Sequence, residues 1–376
     1  MTLAKTINNV DISGLRKMFD LARSDSINLG LGEPDFQPPD NVKEALKTAI
    51  DTGKNKYGSS QGLLPLREAI AERTKIHRED ITQSDVIITV GGTEALWISS
   101  QVLFQPGDEI LIPDPGFVLY TPHVQLAGAT PVFYPLAQDN EFVPDIEMIN
   151  ELITDKTKGI YVNSPSNPTG GVFCRDDVKA VTDLAQDHKL TIISDEVYEH
   201  ILYDDCEFCS FLGDYDNVIQ IHSFSKTYAL TGWRIGYLVT KSDLIKKLIV
   251  MHYHNVACPP SPFQHAALAA LQGPQDSVRN MVAEFKTRRD LIVNELNSIE
   301  GFNCILPKGA FYAFPKFELG IKASELVMKL AEAGLICTHG SAFGGNGEGH
   351  LRLSYATSQD NIRKGMEILR DVASNL

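Results

Sequence analysis

From about residue 85 to residue 240 the chain alternates short apolar runs with helical segments, and that rhythm excludes most architectures. Residues 86–90, 109–112, 131–134, 159–162, 191–194, 218–221 and 235–239 are seven strand candidates. Near-continuous apolar runs of this length suit strands buried on both faces. Helical segments fall between them, among them 93–104 and 177–188, the second with Val178, Val181, Leu184 and Ala185 on one face. The expectation is an α/β fold: a seven-stranded, mainly parallel sheet covered by helices.

Before this region, residues 27–36 are punctuated by Gly30, Gly32 and Pro34, a loop in which backbone can approach something closely. A helix is predicted from Asp40 through Ile50 with Gly53 as its stop, and a second opens near Pro65. An amphipathic piece lies near residues 15–22. After Pro262 the strand rhythm ends. Residues 263–298 read as helical, with Phe285, Leu291, Ile292 and Leu296 on a stripe that can bridge to a second body. The tail mixes strands near 309–314, 335–338 and 350–355 with helices at 324–333, closed by Gly334, and through Ile362, Met366 and Leu369. A length of 376 residues accommodates a large domain, expected at 46–279, and a smaller α+β domain built from both chain ends, expected at 1–45 plus 280–376.

Lysine plus arginine number 34 against 48 acids, a net charge of −14, which disfavours nucleic acid as a partner and requires any phosphate site to be local. No apolar run approaches the ~20 residues of a membrane-spanning helix. The first residues lack the apolar core of a secretory signal, so a cytoplasmic location is expected. Cys206 and Cys209 form the single close cysteine pair, too few thiolates for a four-cysteine zinc site; free thiols and no metal are expected.

The chemistry-bearing residues cluster at the ends of the predicted strands, where open α/β sheets bind ligands. Lys226 follows 218–221, flanked by Ser223, Ser225 and Arg234, which are donors suited to phosphate. A lysine amine attacks carbonyls when its surroundings disfavour the ammonium form, and a cation such as Arg234 pushes that way. Gly91, Gly92 and Thr93 turn from a strand into a helix start that can cradle an anion, although tight turns also use glycine for geometry alone. Asn167 sits between two prolines that can hold its amide in one direction, or simply form a loop. Asp195, with Tyr198 close by, ends the fifth strand. A carboxylate there either caps the next turn or meets a cationic partner such as a protonated ring nitrogen. An amine for an aldehyde, a carboxylate for a pyridinium, donors for a phenolate and a phosphate cradle are together what pyridoxal phosphate requires.

With these residues in place the chain resembles the class I aminotransferases of the pyridoxal-phosphate fold type I, most of all the archaeal and bacterial aspartate, aromatic and alanine enzymes. The resemblance spans roughly residues 25–360. It rests on Leu31-Gly-Glu-Pro-Asp-Phe36, Tyr57 with Gly58, Gly91-Gly-Thr93, Asn167-Pro-Thr-Gly170, Asp195-Glu-Val-Tyr198, Ser223-Phe-Ser-Lys226, Gly232-Trp-Arg-Ile-Gly236 and Arg352-Leu-Ser354, in the family's order. It implies that Lys226 condenses with the cofactor aldehyde and shuttles the substrate proton, and that Asp195 holds the ring nitrogen protonated. Asn167 and Tyr198 would bond the phenolate oxygen. Gly92, Thr93, Ser223, Ser225 and Arg234 would hold the phosphate, and Phe117 would stack on the ring. Arg352, with Gly32 backbone and Asn167, would take the substrate α-carboxylate. Tyr57 would reach the phosphate of a neighbouring subunit, implying a homodimer.

The implied activity is ping-pong transfer of an amino group between an L-amino acid, aspartate first, and a 2-oxo acid such as 2-oxoglutarate. Small-molecule substrates are the expected partners, with no nucleic acid and no membrane. Some bacterial aspartate enzymes of this group carry a lysine at the position of Thr93, for the substrate's second carboxylate. His222, His252, His254 and His339 are the candidate substitutes, and the segment Asn255-Val-Ala-Cys-Pro259 is shared with aromatic relatives. An aromatic- or alanine-preferring enzyme, or a carbon-sulfur lyase on the same fold, is the alternative. Independently of the resemblance, His350, Arg352 and Ser354 alternate with Leu351, Leu353 and Tyr355, which predicts a strand with Arg352 on its polar face. A surface salt bridge would explain that arginine equally well.

Overall fold

The structure, a computed structural model, describes residues 6–7, 10, 23 and 25–376 apart from 214 and 242. The amphipathic piece expected near 15–22 lies outside the described residues. All seven predicted strands form one sheet: β1 (Val86–Thr89), β2 (Glu109–Asp114), β3 (Thr130–Pro135), β4 (Thr157–Asn163), β5 (Thr191–Asp195), β6 (Val218–Ser223) and β7 (Gly236–Val239). Their spatial order is β1-β7-β6-β5-β4-β2-β3. Neighbours pair in parallel except β7, which is antiparallel to both β1 and β6. Between β6 and β7 the chain has only the one-turn helix Phe224–Thr227 and a short 3-10 turn, too little to cross beneath the sheet, so it returns alongside itself.

Except in the edge strand β3, where Thr130 and Phe133 are exposed, the strands lack a wet face. Val86, Ile88, Leu111, Ile160, Val162, Ile192 and Val218 enter one core. Their alternates Ile87, Ile110, Ile112, Tyr161, Ile193, Ile219 and Ile221 enter another on the opposite face. The two-residue period therefore divides each strand between two buried layers, each fully buried aliphatic contributing roughly 1.5–3 kcal/mol. The helix Gly91–Leu103 covers the second layer with Ala95, Leu96 and Ile98. The helix Arg175–Asp187 covers the first with the four residues predicted for its apolar face, Val178, Val181, Leu184 and Ala185.

The helix Asp40–Asp51 ends before Gly53, whose φ of 77° lies in the left-handed region, and Leu64–Thr74 carries its proline in the first turn. Val42 of the first of these packs into the core of the large sheet, and Asn41 donates to the Ala269 carbonyl at 3.0 Å. A further core gathers Leu29 with Phe285, Ile292, Leu296, Phe311, Leu330, Leu335, Leu351, Leu353, Ile362 and Leu369. The helical stretch after Pro262 is two helices, Ser261–Gln272 and Asp276–Asn297, parted at Gly273-Pro274. A helix at Ile245–Val256, passed over by a reading that follows the strand rhythm, precedes them. Beside this further core, Ile27–Asn28 pairs in parallel with Leu335–Ile336, and Leu351–Ser354 is antiparallel to Tyr312–Ala313 and Thr338–His339. The amide of Leu29 bonds the Ile336 carbonyl at 2.8 Å, and its carbonyl takes the Ser354 amide at 2.6 Å. These bonds tie the N-terminal loop to the C-terminal strands and carry Gly30 and Gly32 toward the rim of the large sheet.

Candidate active site

Four strand ends converge on that rim. Pairing of β4 with β5 sets Asn163 beside Asp195, and pairing of β6 with β7 sets Ser223 beside Gly236. Beyond β6, the Ser223 hydroxyl accepts the Ser225 amide at 3.1 Å and starts the single helical turn that bears Lys226. Gly32, Gly92, Thr93, Phe117, Asn167, Asp195, Tyr198, Ser223, Ser225, Lys226, Arg234 and Arg352 all line one cavity of about 240 Å³. Gly91, with φ of 76°, opens the helix Gly91–Leu103, and a Cβ there would stand 2.6 Å from an Arg234 guanidinium nitrogen. Glycine at that position thus lets the cation lie against the turn whose amides have no intrahelical acceptor. Arg234 is oriented by a 2.9 Å bond from Nη1 to the Thr231 carbonyl.

Asp195 forms the floor. It is 4% exposed, and its Oδ2 accepts the Tyr120 hydroxyl at 2.8 Å, whereas Oδ1 has no partner. Burial pushes the carboxyl up to about 6, against the pull of the Tyr120 hydroxyl, the Val197 amide and Lys226. An orphaned buried acceptor of this kind fits a ligand that brings its own N–H, and above all a charged one. The adjacent Glu196 faces away, its carboxylate filled by Ser194, Ser210, Gln220 and the Phe211 amide. Asn163 latches the rim: its amide donates to the Asp195 carbonyl and its oxygen accepts the Asn167 amide, both at 2.8 Å.

Lys226 Nζ donates to the Gly32 carbonyl at 2.5 Å. A side chain at Gly32 would collide with the Tyr312 hydroxyl, so this approach requires glycine. Burial, helped by the Arg352 and Arg234 guanidiniums and opposed by Glu33 and Asp195, brings the ammonium down to about 8. From sequence the neighbouring cation is the visible cause; desolvation is the larger one. About a tenth of this amine is neutral at pH 7, against less than about one part in a thousand for an ordinary lysine. In cofactor-free protein, labelling of Lys226 by trinitrobenzenesulfonate, read by peptide mass, is therefore expected to rise with pH and level off above about pH 8. A rate still rising tenfold per pH unit above about pH 9 would class it with exposed lysines.

For Arg352 the alternation predicts the polar face of a strand, with a surface salt bridge as its other explanation. The alternation holds, but neither face is wet: all four residues of Leu351–Ser354 are buried, and Arg352 is 2% exposed. Its guanidinium lies between the rings of Tyr312 and Phe343, 4.8 and 4.9 Å from their centroids. Nη1 donates to Asn167 Oδ1 at 3.2 Å and Nη2 to the Gly30 carbonyl, while Nε has no partner. A buried guanidinium with an unused donor beside a weakly held one has the donor set that suits a carboxylate.

Tyr57 alone among the predicted site residues is elsewhere. It is 92% exposed, on a separate cleft with Lys54, Lys56 and Arg67. Of the histidines weighed for a second substrate carboxylate, none lines the cavity. His222 stacks on Tyr237 beside Glu196 and Glu199, His252 is held by Glu94, His339 meets the Ser341 hydroxyl, and His254 packs on Tyr253. All six cysteines are free thiols. Sequence reasoning misses Tyr120, Asn163 and Tyr312. Asn163 has a signal, a polar residue closing an apolar run; Tyr120 and Tyr312, whose hydroxyl bonds Tyr198 at 2.8 Å, have none.

The model of the family described as aminotransferase class I and II matches residues 24–369. The chain belongs to this family. Among relatives of this aminotransferase, a protein of Methanocaldococcus jannaschii named probable aspartate aminotransferase is 42% identical over 98% of this chain and 99% of its own. The aromatic-amino-acid aminotransferase 2 of Thermococcus litoralis is 38% identical over 99% of this chain and 98% of its own. The solved structure of the Thermus thermophilus aspartate aminotransferase with maleate superposes with a TM-score of 0.93 at 34% identity, covering 99% of this chain and all of that one. The fold type expected from the motifs is therefore the fold of this aminotransferase.

Proposed function

We propose that this aminotransferase uses pyridoxal phosphate to move an amino group between an L-amino acid, aspartate first, and a 2-oxo acid such as 2-oxoglutarate. The observation that carries the reading is the unpartnered Oδ1 of Asp195 on the floor of the cavity that also receives Lys226 and Arg352. When bound, the cofactor supplies an electron sink for the pair left on the substrate carbon. Lys226 would hold the cofactor through its amine and would carry the proton to and from the substrate α-carbon. Asp195 keeps the ring nitrogen protonated through Oδ1. Gly92, Thr93, Ser223, Ser225 and Arg234 hold the phosphate, Phe117 packs on the ring, and Asn167 and Tyr198 address the phenolate oxygen. Arg352, using Nε and Nη, grips the substrate carboxylate with the Gly32 backbone and Asn167 beside it.

The partition into residues 46–279 and 1–45 plus 280–376 belongs to the same proposal, supported by the core that unites Leu29 with residues beyond 280. Closure of the smaller part excludes water from the proton transfer. The exposure of Tyr57 supports a homodimer in which it reaches the neighbouring site. We place the enzyme in the cytoplasm; among the described residues no helix is long and apolar enough to cross a membrane.

One observation favours an aromatic donor. Among the described residues the cations lining the cavity are Lys226, Arg234 and Arg352, all with roles above, and Leu31, Leu96 and Phe117 supply apolar wall. A screen of amino acids against 2-oxoglutarate, with glutamate as the readout, decides: aspartate is expected to lead. An aromatic donor at least about tenfold ahead in kcat/KM reverses the preference. Amino acid consumption without glutamate formation signals the lyase instead.

A further inference from the structure

The first turn of the helix Gly91–Leu103 holds a buried carboxylate that none of the roles above uses. Glu94 is 6% exposed. Its Oε2 accepts the Val90 amide at 2.6 Å, and its Oε1 accepts the Asn255 side-chain amide at 2.9 Å and lies 3.0 Å from His252 Nδ1. His252 is fully buried, on the helix Ile245–Val256. A carboxylate oxygen accepts, so Nδ1 carries the proton between them, and Nε2 has no partner. Burial pushes the Glu94 carboxyl up. The His252 bond and charge, with the Val90 and Asn255 amides, outweigh it and hold the group below the usual carboxylate range.

An anion here is unexpected, because it occupies part of the electropositive helix start that the phosphate is to use. Its bonds show what it does instead. It takes the amide of the residue just before the turn, leaving those of Gly92 and Thr93, which line the cavity. It also anchors that residue to a helix from another part of the chain. We propose that Glu94, clamped by His252 and Asn255, is a positioning residue for the phosphate cradle, fixing the Val90–Gly91 peptide from which the cradle amides project. The inference rests on the phosphate reading of Gly92 and Thr93.

The test compares pyridoxal phosphate with pyridoxal, which lacks the phosphate, by absorbance titration of cofactor-free protein. Wild-type protein is expected to favour the phosphorylated form strongly. A preference below about threefold would overturn the phosphate reading and this inference together. E94A is expected to weaken pyridoxal phosphate at least about tenfold and pyridoxal by less than about threefold, because a hydrogen bond to a charged group is lost only from the cradle. E94Q, whose amide oxygen can still take the Val90 amide while His252 moves its proton to Nε2 and Asn255 turns its amide oxygen to the new NH2, is expected to restore the wild-type ratio to within about threefold. Equal weakening of both ligands by E94A means a general structural role and overturns the proposal, as does no weakening of either. Should E94A fail to fold, N255A, which removes one donor to Oε1, is expected to shift the ratio about threefold in the same direction, and an unmoved ratio overturns it.

Discussion

Replacing Lys226 with alanine is expected to lower kcat by at least about four orders of magnitude while leaving weak cofactor binding in place. Two functions disappear together: the amine that holds the aldehyde, and the base that moves the substrate proton. The rest of the cavity survives, because Asp195 and Arg234 reach it from other strand ends, and Ser223 and Ser225 are fixed by their own hydrogen bond. Folding should be little affected, since the hydrogen bond that goes with the side chain is the one to the Gly32 carbonyl, at the mouth of the site rather than in a core. Steady-state kinetics with saturating cofactor measures the first effect, and borohydride reduction followed by peptide mapping checks its cause. Turnover within about tenfold of wild type, or a reduced adduct on another residue, would remove Lys226 from the mechanism.

Asp195→Asn should cost about 10³ in kcat, somewhat less than loss of the amine. Asparagine keeps the shape and can still accept the Tyr120 hydroxyl, so the substitution isolates the charge on Oδ1. Truncating one partner of a buried hydrogen-bonded charge pair costs roughly 2–5 kcal/mol, or about 30- to 5,000-fold. Burial already lifts the carboxyl to about 6 with Lys226 as its one cationic neighbour. A ring N–H⁺ at Oδ1 would stabilise the carboxylate and the pyridinium mutually. Measuring kcat across pH 6–9 distinguishes a lost charge from a displaced ring: a deficit under tenfold throughout would mean the charge is not used.

The sheet is legible in the sequence because its strands are buried on both faces, so that seven apolar runs stand out between helices. The helix Ile245–Val256 is not, since it follows the last strand without a glycine or proline between them and its stripe of Ile245, Leu248 and Ile249 runs into the buried His252. In the site, residues carried on motif spacing reach the cavity, Tyr57 apart. Residues that act across the fold cannot be read: Tyr120 meets Asp195 over a separation of 75 positions, and Tyr312 meets Tyr198 over 114. The direction of the Lys226 shift follows from its neighbours, but its main cause, desolvation, depends on enclosure that exists only once Gly32 and Arg352 have folded over the rim. That the polar face bearing Arg352 is dry has a related reason. Strand alternation tells which residues share a side, and whether that side meets water depends on the rest of the chain.

The bond from Arg352 to the Gly30 carbonyl joins positions 322 residues apart. Gly30 therefore leaves a ribosome long before Arg352 is made, and the two meet only after nearly all of the polypeptide has emerged. Pairings of such range make assembly slow. They also make the cavity a product of the finished chain, since Gly32 from near one end and Arg352 from near the other line it together.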